Sequence, residues 1–240
     1  TTLLMKNFYT ISLYCLTSVL FTSCSIVVTK NDSKMHPAFV DLNTLTRDNQ
    51  AEYELELRYF SEQNFVGQQI PGYESNKAIL TRKTANALLL AQRDFIQLGY
   101  KIKIFDAYRP QTAVDFFVNW ASDLQDLKNK SEYYPNVEKS NLFSEGYIAA
   151  RSGHSRGSAV DLTLVDLESG QEIDMGSPWD FFDPISWPTS EKVTKQQRAN
   201  RRLLAATMQK HGFASIKEEW WHFYLVDEPF PNTYFQFPVK

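Results

Sequence analysis

Two distant stretches, SGHSRGSAVDLTL at residues 152–164 and EEWWHF at residues 218–223, constrain this chain more than any other feature. The first sets His154 seven positions ahead of Asp161, with an apolar, β-branched run closing behind. In an unbroken strand, residues seven apart face opposite sides. The two side chains therefore converge only if the backbone turns between them, and Ser155, Arg156 and Gly157 suit a turn. The second stretch sets Glu219 three positions before His222, a spacing that a strand also splits across its faces. One of that pair must precede the strand or sit at a bulge, and the spacing leaves open which.

The surrounding text reads as α+β. YELELRYF alternates in strand fashion, and NFVGQQIPGY carries the Gly and Pro of a loop. TRKTANALLLAQRDFIQLGY places Ala85, Leu88, Leu89, Gln92, Phe95 and Ile96 near helical spacing, with a Thr start and Gly99 as stop. KIKIFDAYRP predicts a short strand, after which Pro110 opens a second helix to about Trp120, so Arg109 stands at a strand end. Residues 122–150 read as polar and loop-like, with a weak helical signal. AVDLTLVD is a strand. QQRANRRLLAATMQKHGF is an amphipathic helix closed by Gly212, with His211 as a favourable C-terminal charge or cap, and EWWHFYL is the final strand. Strands and helices mix without strict βαβ alternation. The expectation is a single α+β domain with a mainly antiparallel central sheet flanked by helices.

Chemistry is bounded by what the body of the chain lacks. The two cysteines, Cys15 and Cys24, both lie near the amino terminus, so a metal in the body would need His, Asp or Glu. A catalytic zinc usually takes three protein ligands and keeps one position open. His154, Asp161 and His222 would supply that set, with the site above the sheet. Glu219 would then be the general base for the activated water, and Arg109 would face the oxyanion of the tetrahedral intermediate. Each residue also has an ordinary reading. A histidine in a glycine-containing loop is more often simply hydrogen-bonded, Asp161 could cap a turn, Glu219 could be solvated, Trp220 and Trp221 could be core, and Arg109 could be a salt-bridge residue. Only the conjunction is specific. A formal charge of −3 and a pI near 5.8 leave no basic footprint for nucleic acid, so a small partner is expected.

The amino terminus reads as targeting rather than fold. From Met5 and Lys6 an apolar run reaches Phe21 and gives way to small residues before Cys24, the layout of a secretory signal. LFTSC resembles a bacterial lipoprotein box, with Phe21 where an aliphatic residue is usual. The expected organisation is a signal with lipoprotein box over 1–24, a flexible tether over 25–50 in which His36 is solvated, and a catalytic domain over 51–240. An exported envelope protein, lipid-anchored to a membrane through Cys24, follows from that expectation.

The stretches LRYFSEQNFVG, IFDAYRPQTAVDFF, SEGYIAARSGHSRGSAVDLTL, DMGSPWDFFD, NRRLLAATMQKHGF and EEWWHFYL together resemble the zinc D-alanyl-D-alanine dipeptidases of the VanX type, within the wider group of D-Ala-D-Ala metallopeptidases. The likeness runs in order from about residue 55 to 225. It implies one Zn²⁺ per chain on His154, Asp161 and His222, Glu219 as base and Arg109 as transition-state stabiliser. It further implies that Ser152, Tyr147 and Asp180 hold the ammonium of a small D,D-dipeptide, with Phe117 and Tyr59 lining the pocket. An exported location would point to cell-wall peptide turnover or dipeptide scavenging. Two alternatives remain open: a D,D-carboxypeptidase acting on peptidoglycan stem peptides, and a non-catalytic envelope binding protein of the same fold. The oligomeric state is left open.

Overall fold

The computed structural model describes residues 27–28, 33–46 and 53–240. In chain order the elements are β1 (Val27–Val28), β2 (Phe39–Asp41), α1 (Leu42–Thr46), β3 (Glu54–Leu55), β4 (Ile79–Thr81), α2 (Arg82–Gln97), β5 (Tyr100–Asp106), α3 (Gln111–Ser122), α4 (Lys130–Tyr133), β6 (Ala159–Asp166), α5 (Lys195–Lys210), β7 (Phe213–Ser215), β8 (His222–Leu225) and β9 (Thr233–Tyr234). The expected helices form where their stop and start residues lie. The Thr81 side chain accepts the Thr84 N–H at the head of α2, and Gly99 follows its end at a φ of 86°. Thr194 and Gln197 form a reciprocal capping box on α5. Burial follows the apolar stripe of α2: Ala85, Leu88 and Phe95 are in the core, and buried Gln92 accepts the Ile102 N–H at 2.8 Å.

The fold is α+β, but its sheet is mixed. The central sheet runs β3-β5-β6-β8-β7, with antiparallel pairing except at the edge, where β3 runs parallel to β5. The expectation of a mainly antiparallel sheet needs that correction, and a separate β1–β9 pair is parallel too. The reason lies in YELELRYF. Only Glu54 and Leu55 stay in the sheet before Arg58–Phe60 turn into a 3₁₀ helix, so the alternating text makes only a short parallel edge. EWWHFYL is likewise not the last strand, since β9 follows β8. β6 is buried on both faces for all but its last residue, which places Asp161 at the centre of the molecule.

The chain enters the fold earlier than the expected boundary at residue 51. β2 pairs with β4, and Phe39, Val40 and Leu42 are buried core. His36 is not simply solvated: its ring lies 5.0 Å from that of Phe235 and 5.6 Å from that of Phe230. Apolar burial explains the difference, because Phe39 fits edge-on against Tyr108, Phe235 and Phe237 in an aromatic cluster behind the site. The weak helical signal in residues 122–150 corresponds to α4, and this polar stretch also buries Tyr134 and Leu142 completely. The expected signal and lipoprotein box at 1–24 lie outside the described residues. Among the described residues no helix is long and apolar enough to cross a membrane.

Candidate metal centre and active site

Strand register brings the site together. Asp161 of β6 pairs directly with His222, the first residue of β8, so the two side chains share one face of the sheet. On the other side of β6, Ile104 faces Leu162 but Asp106 faces Asp161. β5 thus uses two residues where β6 uses one, and this bulge turns Asp106 onto the Asp161 face. Asp106, Asp161 and His222 therefore form a row across three adjacent strands. Glu219 precedes β8 in the connecting turn, which resolves the three-residue spacing.

His154 reaches the row from a 3₁₀ turn, Gly153–Arg156, immediately before β6. The Ser152 hydroxyl accepts the His154 N–H at 3.2 Å and starts the turn. Gly157 ends it at a φ of 73°, and a Cβ there would fall 2.1 Å from the Phe39 ring. Only glycine satisfies both the left-handed backbone and that close approach.

The donor atoms form a tight triangle. His154 Nε2 is 3.0 Å from His222 Nδ1 and 3.3 Å from Asp161 Oδ1, and the third side measures 3.1 Å. A tetrahedral zinc with bonds near 2.0–2.2 Å separates its ligand atoms by about 3.3–3.5 Å, within a few tenths of an ångström of these sides. The His154 tautomer fits as well. Its Nδ1 lies 2.6 Å from the Ala107 carbonyl oxygen, which can only accept, so the neutral ring carries its proton there and turns a lone pair inward at Nε2. Burial alone would raise the Asp161 carboxyl, but the adjoining imidazoles of His154 and His222 hold it far below the usual range. His222 is pushed down, first by burial. Two imidazoles, which bind a metal in their neutral form, and one carboxylate are a donor set suited to zinc.

Around the triangle stand the acid–base and cationic groups. The Glu219 carboxylate is 3.7 Å from His222 Nδ1. Burial, then the charges of Asp161 and Asp180, push Glu219 well above the ordinary carboxyl range. Arg109 donates through Nε to Asp106 Oδ2 at 2.9 Å, and its Nη2 is 3.7 Å from Asp161 Oδ2. Its guanidinium lies 5.0 Å from the Tyr59 ring centroid and 5.5 Å from that of Phe117. These contacts hold the fork in one orientation.

A cavity of about 210 Å³ opens beside the triangle, and Tyr59, Phe117, Tyr147, Ser152 and Asp180 all line it together with Arg109, Glu219, His154, Asp161 and His222. Every residue singled out from the sequence thus borders one space. Asp180 is 4% exposed and accepts the Tyr59 hydroxyl at 2.7 Å. It is the one non-glycine among the described residues with positive φ, at 58°. Burial, then the Asp161 charge, raise its carboxyl well above the usual range. Tyr147 stacks on Phe182 at 5.1 Å, and Phe65 and Val114 complete the apolar wall.

Three contributors escaped the sequence reading. Asp106, fully buried, anchors Arg109 and accepts the Tyr73 hydroxyl at 2.7 Å. Trp179 donates its indole N–H to Asp161 Oδ2 at 3.3 Å. Arg201 of α5 donates to the carbonyls of Met175, Ile185 and Trp187, clamping the segment that carries Trp179 and Asp180. The Asp of FDAYRP was a visible signal for the first, whereas nothing local marks the other two.

The family model described as D-ala-D-ala dipeptidase matches residues 36–240. The D-alanyl-D-alanine dipeptidase of Enterococcus faecalis is 44% identical over 183 residues, covering 76% of this chain and 91% of that one. The protein of the same description from Streptomyces coelicolor is 43% identical over 182 residues, covering 76% and 90%. Among solved structures, a vancomycin resistance D,D-pentapeptidase in complex with Zn(II) aligns at a TM-score of 0.38 and 16% identity, over 74% of this chain and 80% of that one.

Proposed function

This chain belongs to the D-ala-D-ala dipeptidase family, and on that premise we propose that it hydrolyses free D-alanyl-D-alanine to two D-alanines at a zinc held by His154, Asp161 and His222. The observation that carries the reading is the donor triangle, with sides of 3.0, 3.1 and 3.3 Å, beside a cavity of about 210 Å³ that Glu219 also lines. Zinc there supplies Lewis acidity, which makes water a nucleophile near neutral pH and polarises a peptide carbonyl.

The chain's own groups do the rest. Glu219 takes the proton from the attacking water and delivers it to the leaving amine, and its raised carboxyl suits the second half of that task. Arg109, held by Asp106 and the two aromatic rings, faces the negative charge that develops on the scissile carbonyl oxygen. Asp180, Tyr147 and Ser152 take the substrate ammonium, while Phe117 and Tyr59 close the wall around the side-chain methyls. An acylated amine would lose its charge and leave Asp180 without a cation, so a free dipeptide is preferred to a longer stem peptide.

We also place the enzyme in the cell envelope, anchored through Cys24 and acting in cell-wall peptide turnover. The charged start, apolar run and LFTSC of residues 5–24 support this. Fatty-acid labelling of the native protein that disappears in Cys24→Ser is the expected result, and an unlabelled protein with Met5 intact in the soluble fraction would remove the location.

The test of the activity is release of D-alanine from D-Ala-D-Ala by the purified chain, lost with chelator and in Glu219→Ala. Failure of folded, zinc-loaded protein to release it would overturn the reading. Preference for an N-acylated stem peptide over the free dipeptide would favour the carboxypeptidase instead.

A further inference from the structure

The two oxygens of Asp161 have different surroundings. Oδ1 faces both histidines, 3.1 Å from His222 Nδ1 and 3.3 Å from His154 Nε2. Oδ2 accepts the Trp179 indole N–H at 3.3 Å, with Arg109 Nη2 3.7 Å away. A carboxylate can bind a metal through one oxygen or both, and a hydrogen-bond donor on the second oxygen biases it towards one. We propose that Trp179 is a positioning residue of the metal centre, which reserves Oδ2 of Asp161 for its own N–H and leaves Oδ1 alone to the metal. The inference rests on the zinc reading above and adds a determinant of how many positions that zinc keeps open.

Several features hold the indole where this requires it. Trp179 is 2% exposed, stacked on Phe105 at 5.5 Å and packed 5.0 Å from Tyr59. The next residue, Asp180, is left-handed, and this kink lets two consecutive side chains serve one site: Trp179 the metal ligand and Asp180 the substrate end. A left-handed backbone is disfavoured for a non-glycine residue and persists only where its surroundings impose it. Arg201, 3% exposed, supplies that constraint from behind by taking the Met175, Ile185 and Trp187 carbonyls at 2.6, 2.9 and 2.8 Å.

The test uses the full chain, loaded with cobalt(II) as a spectroscopic probe and titrated with zinc(II) against a chromophoric chelator. Trp179→Phe keeps an aromatic ring on Phe105 and removes the N–H donor. It is expected to weaken zinc binding about 10- to 100-fold and to lower the visible absorption of the cobalt form, as a second oxygen raises the coordination number. Phe105→Leu, which loosens the stack but keeps the N–H, is expected to leave both close to the parent's. An unchanged spectrum and affinity in Trp179→Phe would overturn the inference, as would equal changes in both variants. If Trp179→Phe does not fold, a crystal structure of the zinc-loaded parent decides: Oδ1 alone on the metal sustains the inference, and both oxygens on it overturn it. A parent that binds zinc with Trp179 as described but leaves D-Ala-D-Ala intact would sink the substrate assignment and not this one.

Discussion

The site has two halves built by different means. The metal half, with Asp161, His222 and neighbouring Asp106, is a row across β5, β6 and β8 set by strand register. The opposite half, with Tyr59, Tyr147, Asp180 and Glu219, comes from connecting segments. Register is enforced by a whole ladder of backbone hydrogen bonds, since a slip of one residue would turn every side chain of β6 to the wrong face. The connecting half hangs on single points such as the 58° φ of Asp180 and the Arg201 clamp. The strand-borne pair Asp161 and His222 is thus the robust part, whereas the substrate end, like the Gly153–Arg156 turn that carries His154, is the part that a few substitutions could retune.

The sharpest break of that contrast is Glu219→Ala, which removes a connecting-segment group without touching a ligand. Hydrolysis of D-Ala-D-Ala should fall about 10²- to 10⁴-fold, while zinc content by atomic absorption stays at one per chain. Loss of zinc instead would show that the halves are not separable. Next is Arg109→Lys, which keeps the charge but not the fork that bonds Asp106. A fall in kcat of about 10²- to 10³-fold with little change in KM is expected from steady-state kinetics, and a pure KM effect would move Arg109 to the binding half.

A smaller effect is expected from Asp180→Asn. KM for the free dipeptide should rise by roughly tenfold, the loss of about 1.4 kcal/mol, and the preference over N-acetyl-D-Ala-D-Ala should shrink by the same factor. Zinc affinity unchanged in this variant would confirm that the halves act independently. The smallest effect concerns pH. Burial raises the Asp180 carboxyl in the folded state, so the folded chain holds its proton more tightly than the unfolded one. That contribution is complete below the unfolded value of about 3.9 and is lost as pH rises through the folded one. Metal-free Asp180→Asn should therefore be more stable than the metal-free parent at pH 7 and no more stable near pH 3.5, as read from denaturant midpoints. Equal midpoints at both pH values would mean that Asp180 is not strained by burial.

Much of the metal half could be read before folding was considered. His154, Asp161 and His222 are recognisable because donor type is a property of the side chain, and because Ser155-Arg156-Gly157 announces its own turn. α2 and α5 could be read for the same local reasons, a capping residue, a periodic stripe and a glycine stop. Asp106 stood in view within FDAYRP but had no evident role, since only the bulge in β5 turns it towards Asp161. Trp179 and Arg201 could not have been found, because an indole N–H or a buried guanidinium is informative only once its acceptor is known. The tether expected over 25–50 misled for a related reason: a polar stretch hides three core residues, Phe39, Val40 and Leu42, whose partners lie far along the chain.

By itself the sequence determined the chemistry on offer: which donors exist, that cysteine is excluded from the body, where the helices start and stop, and where the chain turns before β6. Only the tertiary structure decided that Glu219 precedes its strand while His222 begins it, that Asp106 meets Arg109 and Trp179 meets Asp161, and that Phe39, Val40 and Leu42 join the core. The first set depends on dihedral preferences and side-chain functional groups, which act within a few residues. The second depends on register and on packing between segments far apart in sequence, where each group's role is set by a neighbour that local text does not contain.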